Sequence, residues 1–456
     1  MEEPIPKAVL VGVMTPQVDE ASFRAGLTEL ARLCKTLGLQ VVGEVTQRRG
    51  HLDMNVLGAG KLRELSRWTG GRGVVPKGPP KQRREAEKAA AAAEAEAAPE
   101  VPEAEEGEAP PEEPVRATHV IVDHELTPSQ VRNLAGATGA QVLDRAAVIV
   151  EIFHRHASSK EARLQVEIAR LAYLSPRIRE SGGDRVRGGV GAKGAGETAL
   201  ELDRRRVRDR IAVLRRELSE IEDGRSARRA RRRDAQTVAL VGYTNAGKSS
   251  LMRALTGSDV MIADKLFATL DTTVRTLWPP ATPPVLVTDT VGFIQKLPHD
   301  LVASFRSTLD AALEASLLLY VVDAADPAHV QQLRVTREVL GEIGAGDVPS
   351  IVVFNKTDRL EAAEIATLLE SEPGSVATAA VDPDAVARLR DLLVAHFASQ
   401  QPEVAFVVPW HRQALIGQIR AAATVIEEAF TDDGISYTVR APQAVLDRLL
   451  TTLTET

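Results

Sequence analysis

The chain has 456 residues, a formal charge of -7, 44% hydrophobic residues and only 4% aromatics. That is enough for roughly three domains, with cores built mostly from Leu, Val, Ile and Ala. Its single cysteine, Cys34, excludes a disulfide framework and a thiolate zinc cluster. The apolar stretch Leu317 to Ala325 is too short to cross a bilayer, and Met1-Glu2-Glu3-Pro4 lacks the basic region of a signal peptide. Together these point to a soluble protein of a reducing, cytoplasmic compartment. Taken as a total, the acidity also argues against a nucleic-acid partner.

In chain order, Lys7 to Val13 is a short apolar run, Glu20 to Leu37 has helical periodicity, Leu39 to Thr46 is rich in strand formers, and Gly60 to Trp68 reads as a helix. From Lys77 to Pro114 the composition changes to eleven Glu, eleven Ala and seven Pro in 38 residues. Such a segment cannot bury enough apolar surface to offset the entropy of ordering, so a disordered insertion is expected, with transient helix over Glu85 to Ala98. Alternation then resumes with a strand at Thr118 to Val122, a helix opening at Thr127-Pro128-Ser129, and a strand at Gln141 to Leu143. This predicts a small parallel α/β unit formed by residues 1–76 and 115–153, with residues 77–114 inserted into one connection.

Leu164, Ile168, Leu171 and Leu174 lie on one face of a predicted helix, and Leu200, Val207, Ile211, Leu214, Leu218 and Ile221 on one seam of a second. Between them, Ser181 to Gly196 holds seven glycines, which suits a flexible tip. The economical arrangement is a long antiparallel helical hairpin over residues 154–233. Residues 155–233 carry 22 Lys plus Arg against 12 acids, a net of +10, whereas Glu85 to Glu113 carries -10. A solvated coiled-coil face is the bland reading of such charge. The clusters Arg204-Arg205-Arg206 and Arg228 to Arg233 favour phosphate contact over it. The overall acidity therefore hides a basic arm. His154 and His156 have i,i+2 spacing with no cysteine nearby and are not read as a metal pair.

The buried-strand pattern Val238 to Val241 leads into Gly242-Tyr243-Thr244-Asn245-Ala246-Gly247-Lys248-Ser249 and a helix from Ser250 to Leu255. This strand, GxxxxGK[ST] loop and helix form a P-loop. Its amides wrap a phosphate at a helix N-terminus, Lys248 serves the β and γ phosphates, and the Ser249 hydroxyl suits Mg2+. A second strand, Val285 to Thr288, ends in Asp289-Thr290-Val291-Gly292, which offers a carboxylate for Mg2+ and a glycine N–H for the γ-phosphate. A third, Ser350 to Phe354, precedes Asn355-Lys356-Thr357-Asp358; an Asp accepting from the guanine ring N–H and exocyclic amine excludes adenine. Three such segments in order, each after a strand, indicate a GTPase domain over 234–400, and an ATP-using P-loop protein is the competing reading.

Phe267-Ala268-Thr269-Leu270-Asp271-Thr272-Thr273 occupies the switch position between P-loop and Asp289. Thr269 is expected to complete the Mg2+ shell, with Thr272 and Thr273 as alternatives, and turn capping is the bland role for any of the three. Catalysis is assigned to Lys248, Thr269 and Gly292. Phe293 stands where many GTPases place a water-orienting glutamine, so slow unassisted hydrolysis is expected. Asn245 offers an amide oxygen for a monovalent cation, potassium, beside the phosphates. The C-terminal part, residues 401–456, reads as a small α/β domain with strands at Val404 to Val408 and Ile435 to Val439, a helix from Arg412 to Phe430, and a last helix from Pro442.

The segments Gly242 to Ser250, Leu266 to Asp271, Asp289 to Ile294 and Lys296 to Asp300 are similar to those of the HflX family of translational GTPases. So are Asp123 to Leu134, Leu164 to Glu167, Gly194 to Thr198 and Leu202 to Arg205 outside the nucleotide loops. The resemblance implies binding of GTP or GDP with Mg2+ and association with the large ribosomal subunit. It further implies splitting or rescue of stalled or idle ribosomes in the GTP form, with the basic hairpin along ribosomal RNA and its tip toward the peptidyl-transferase region. The family's fifth motif reads Ser-Ala; here Thr378-Ala379-Ala380-Val381 aligns, with Ala379 in place of the serine, and a backbone N–H of Ala379, Ala380 or Val381 is left to serve the guanine carbonyl. A monomeric protein of the cytoplasm is expected, partly held on ribosomes or membrane. The competing function is a GTP-switched RNA-binding regulator in which hydrolysis is incidental.

Overall fold

The computed structural model describes residues 5–75, 116–181, 199–230, 236–258, 266–267, 273–295 and 306–454. The Glu/Ala/Pro insertion and, beyond Ser181, the glycine-rich tip expected above lie outside these residues. The chain divides into two compact units, residues 1–155 with 170–211 and residues 156–169 with 212–456.

In the first unit, strands β1 (Lys7–Met14), β2 (Gln40–Arg48), β3 (His119–Val122) and β4 (Gln141–Asp144) form one parallel sheet in the order β2-β1-β3-β4. Helices α1 (Glu20–Thr36), α2 (Ala59–Thr69), α3 (Pro128–Thr138) and α4 (Arg145–His156) connect or follow the strands. Six successive residues of β1 from Ala8 to Val13 are buried, as expected of a parallel strand covered on both faces. Its core joins Val9, Val11, Val120 and Val122 to Leu62, Leu65, Trp68 and Leu134. α3 opens with a capping box in which Thr127 and Gln130 bond reciprocally, and Pro128 occupies the first turn. α4 is a helix that the periodicity did not announce: Ala146 to Val150 are all buried, so the segment has no polar stripe to mark its turn.

Helices α5 (Lys160–Ser181) and α6 (Ala199–Ala230) match the two helices read for the arm. The predicted seam of α6 is its sheltered face, with Leu214 buried and Val207, Ile211, Leu218 and Ile221 half-buried, while Val213 and Leu202 are exposed. Where α5 lies in the first unit, the Tyr173 hydroxyl donates to Asp144 Oδ1 at 2.6 Å and Arg177 Nη2 donates to Asp144 Oδ2 at 2.7 Å. Asp144 also accepts the amides of Leu126 and Ala147, so four donors serve one fully buried carboxylate. Burial and the Asp144 charge push the Tyr173 phenol well above its usual range. Next to it Arg145, also buried, is paired with Asp123 at 2.6 Å and with Glu29.

The second unit contains a six-stranded sheet in the order β10-β9-β8-β5-β7-β6. Its members are β5 (Gln236–Gly242), β6 (Thr273–Thr276), β7 (Val285–Asp289), β8 (Leu317–Asp323), β9 (Ser350–Asn355) and β10 (Val376–Ala377). All neighbours run parallel except β6, which pairs antiparallel with β7. Helices α7 (Lys248–Thr256), α8 (Arg306–Leu313), α9 (His329–Glu342), α10 (Ala362–Ser371) and α11 (Pro383–Gln400) intersperse the strands. The main core packs Val238, Leu240, Leu251, Leu255, Val287, Leu319 and Val353 against Leu389, Leu393 and Phe397 of α11. Because β5 is flanked by β7 on one side and β8 on the other, the strand order reverses there. Crevices for ligands open at such points beyond the carboxyl ends of the strands.

The chain ends in a three-stranded antiparallel sheet, β11 (Glu403–Pro409), β12 (Thr424–Thr431) and β13 (Gly434–Arg440), in the order β11-β13-β12, with helices α12 (Ala414–Ala422) and α13 (Gln443–Thr454). This corrects the single helix predicted from Arg412 to Phe430. The helix stops at Ala422, and Ala423 is extended at φ -135°, ψ 153°. The β-branched Thr424-Val425-Ile426 and the tight Asp432-Asp433 turn let the rest pair with β13. Leu415, Ile419, Ala422, Ile426 and Phe430 have spacings that fit one helical face, which is why periodicity alone misplaced the boundary.

Candidate nucleotide site

Four strand ends converge at the order reversal. β5 delivers the loop Gly242 to Ser249, β7 ends at Asp289, β8 ends at Asp323 and β9 ends at Asn355. Gly247 adopts φ 93°, and a Cβ there would come within 2.2 Å of Asn355 Nδ2, so the loop can pass this close only as glycine. Asn245 also has positive φ, 61°, which asparagine tolerates better than most residues.

Lys248, the first residue of α7, is buried; its Nζ donates to the carbonyls of Gly242 at 3.0 Å and Tyr243 at 2.8 Å. Burial pulls its pKa down to about 8, with the Asp289 charge acting in the opposite direction. An ammonium held this way gains from an incoming anion, because phosphate oxygens would restore the solvation it has lost. Ser249 Oγ donates to Asp289 Oδ2 at 2.7 Å, and Asp289 is fully buried. The hydroxyl and carboxylate assigned to a metal are therefore already adjacent, an all-oxygen pair of the kind a hard cation takes. Among the described residues no group of three or more His, Cys, Asp or Glu offers a different metal centre.

The Asp289-Thr290-Val291-Gly292 segment is pinned along its length. Thr290 Oγ1 donates to the Leu240 carbonyl at 2.7 Å. Beyond Gly292, the Phe293 amide donates to Gly242 O at 3.0 Å and the Thr244 amide to Phe293 O at 2.8 Å. The Gln295 amide donates to the Tyr243 hydroxyl at 2.6 Å. A Cβ on Gly292 would lie 2.9 Å from both Lys248 Nζ and Thr244 Cα, so its main chain lies directly against the P-loop. The Phe293 side chain is buried and holds no polar group toward the site. Thr244 Oγ1 is buried with no hydrogen-bond partner in the described structure.

Asn355 ties three segments together. Its Nδ2 donates to Ala246 O in the P-loop at 2.9 Å, and its Oδ1 accepts the Ala380 amide at 3.1 Å. Thr357 Oγ1 donates to Thr378 O at 2.9 Å, so the fifth motif is laced to the Asn355-Lys356-Thr357-Asp358 segment by two side chains. Lys356, at φ 62°, donates to Asn245 O at 2.7 Å and to Asp323 at 2.5 Å. Asp358 is exposed in a short 3-10 turn, Ala379 is buried and Val381 is exposed. Of the switch residues, Phe267 is buried at φ 58°, while Ala268, Thr269, Leu270, Asp271 and Thr272 lie outside the described residues.

Two functional groups escaped the sequence reading. Asp323 was visible as the acidic end of the buried run Leu317 to Val322, the position Asp289 holds on β7. The Tyr243 to Gln295 bond joins residues 52 apart and had no local signal.

Fold and loops together define a P-loop GTPase. Family profiles match residues 100–154 as "GTP-binding GTPase N-terminal", 156–232 as "GTP-binding GTPase Middle Region" and 237–356 as "50S ribosome-binding GTPase". The chain is 55% identical over 450 residues to the protein named GTPase HflX of Gluconacetobacter diazotrophicus, covering 98% of this chain and 97% of that one. It is 36% identical over 448 residues to GTPase HflX of Caldanaerobacter subterraneus subsp. tengcongensis, covering 97% and 92%. The chain belongs to the HflX GTPase family. It binds guanine nucleotide and hydrolyses GTP, and no helix among the described residues is long and apolar enough to cross a membrane.

Proposed function

We propose that this GTPase binds the large ribosomal subunit and, in its GTP form, splits stalled or idle ribosomes, with hydrolysis permitting release. The observation that carries this reading is the join between arm and engine. Residues 155–233 carry +10, and α6 ends at Ala230, six residues before β5 begins at Gln236. A polyanion-binding arm is thus coupled by a few residues to the strand that leads into the P-loop. The profile over 237–356, described as a ribosome-binding GTPase, supports the same partner. In this reading the arm of residues 154–233 is a hairpin along ribosomal RNA with its glycine-rich tip directed at the peptidyl-transferase region. The flanking domains are residues 1–76 with 115–153, 234–400 and 401–456. The free protein is a cytoplasmic monomer.

The site would work as follows. The amides of Asn245, Ala246, Gly247, Lys248, Ser249 and Ser250 wrap the β-phosphate at the start of α7, and Lys248 places its charge at the β and γ oxygens. Asp358 accepts from guanine, Lys356 and Thr357 fix its turn, and an amide of Ala379, Ala380 or Val381 serves the guanine carbonyl. Mg2+, when bound, neutralises charge between the β and γ phosphates; Ser249, Asp289 and Thr269 would hold it. Potassium near Asn245 is a further proposed ion. The Gly292 amide, set by Thr290, Val291 and Phe293, donates to the γ-phosphate. Water attacks γ-phosphorus, the bond to the bridging oxygen breaks, and GDP and phosphate result. Phe293 cannot orient that water, so the unassisted rate is slow and the partner supplies the missing order.

Changing Arg204, Arg205 and Arg206 together to Glu tests the arm. Binding to isolated large subunits, measured by co-sedimentation, should weaken at least tenfold and lose part of its salt dependence, while GTP hydrolysis by the free protein is unchanged. Unaltered co-sedimentation would remove the arm from the interface.

A further inference from the structure

The C-terminal sheet exposes an edge that its own domain does not use. β12 is the terminal strand in the order β11-β13-β12, so its far side presents main-chain N–H and C=O groups to no other strand of that sheet. Seven of its eight side chains are exposed. A strand that merely closed a small core would alternate between buried and exposed positions. The core beneath is made instead by Val408, Ile419, Ile435, Tyr437, Val439 and Leu446.

Two features set the chemistry of what this edge would hold. Phe430 on β12 is 74% exposed and stacks on Trp410, itself 43% exposed, with centroids 6.3 Å apart and planes 8° from parallel. The Trp410 indole N–H donates to the Asp432 carbonyl at 3.1 Å, which fixes the pair at the end of the hairpin. Around it, Thr424 to Asp433 contains four acids, Glu427, Glu428, Asp432 and Asp433, and no base. Glu428 is engaged by Arg420 at 2.8 Å and by the Tyr437 hydroxyl at 2.9 Å. Glu427, Asp432 and Asp433 are exposed. Acids alone would be ordinary protection of a sheet edge against aggregation. Exposed stacked aromatics beside them are the opposite of protection, because they offer apolar area and π faces at the same edge.

We propose that β12 is a docking edge for an extended, arginine-bearing protein segment. Such a segment would add as a further strand to the free edge between Ile426 and Thr431, with one guanidinium over the Trp410–Phe430 pair and others against Glu427, Asp432 and Asp433. The acids argue against RNA, whose phosphates they repel. None of its residues is among those assigned to the nucleotide site or the basic arm, and the inference does not depend on ribosome splitting.

The test uses the full-length protein and a fluorescein-labelled peptide of alternating Arg and Val, read by anisotropy and by hydrogen exchange. The wild-type protein should bind the peptide with slowed exchange at amides 426–431. The double variant Trp410→Ser/Phe430→Ser keeps every charge and should bind at least tenfold more weakly. A separate variant, Glu427→Lys/Asp433→Lys, alters only exposed side chains and should weaken binding by a similar factor even if the aromatic variant folds poorly. Equal affinity for the wild type and the charge-reversed variant would overturn the proposal, since attraction would then be general, for example to Glu85 to Glu113. So would unchanged exchange at 426–431, tighter binding of a single-stranded RNA of equal length, or sedimentation showing the edge already taken by a second copy.

Discussion

Lys248 shows how one residue's environment sets a solution property. Its ammonium is drawn to a pKa of about 8 from 10.5 by burial. Between those values the unfolded chain holds more protons than the folded one, so the nucleotide-free protein gains stability as pH rises from about 8 toward 10.5. Bound phosphate favours the charged form, so nucleotide binding should take up a proton wherever free Lys248 is partly neutral. Calorimetry in two buffers of different ionisation enthalpy should find uptake rising on approach to pH 8, with GDP affinity falling above it; constant proton balance from pH 7 to 9 would contradict this. At Asp358 the prediction concerns the base. Asp358→Asn should lose guanine nucleotide affinity by at least tenfold and gain xanthosine nucleotide affinity, read by competition, because the donor and acceptor pattern is inverted. Both residues were legible from spacing alone, as were Ser249, Asp289 and Asn355. The hydrogen bonds from the Phe293 amide to the Gly242 carbonyl and from the Gln295 amide to the Tyr243 hydroxyl were not, since they join loops some fifty residues apart.

At the scale of elements, one carboxylate at the end of the N-terminal sheet gathers donors from α5, and the Leu126 carbonyl takes another bond from Arg177. Asp144 ends β4 and receives Tyr173 and Arg177 from α5 together with the amides of Leu126 and Ala147. Removing it leaves a phenol and two amides without an acceptor and takes the counter-charge from a guanidinium whose remaining bonds go to the carbonyls of Tyr173 and Leu126. Asp144→Ala should destabilise the N-terminal unit by about 3 kcal/mol, measured by denaturant unfolding; a loss under about 1 kcal/mol would mean that water replaces the carboxylate. The parallel strands and the helices α1, α2 and α3 could be read because turn residues and caps such as Thr127-Pro128 mark their limits. α4 was missed and β12 was read as helix for a shared reason. A continuous apolar run carries no period, and a short mixed run satisfies either period, so the partner strand β13 decided what local pattern could not.

For the molecule as a whole, charge is organised rather than averaged. The -7 total combines a -10 segment at Glu85 to Glu113 with a +10 segment at residues 155–233, so net acidity conceals a strongly basic stretch of chain. The arm runs within six residues of β5, and β5 leads into the loop that would sense the nucleotide. In the proposed function, that continuity is what would couple GTP state to a ribosomal contact. The direct measurement is sucrose-gradient sedimentation of vacant whole ribosomes with this protein and a non-hydrolysable GTP analogue. Whole ribosomes should convert to subunits, with the protein on the large-subunit peak and little conversion in GDP. Intact ribosomes in the presence of protein shown to hold the analogue would contradict it.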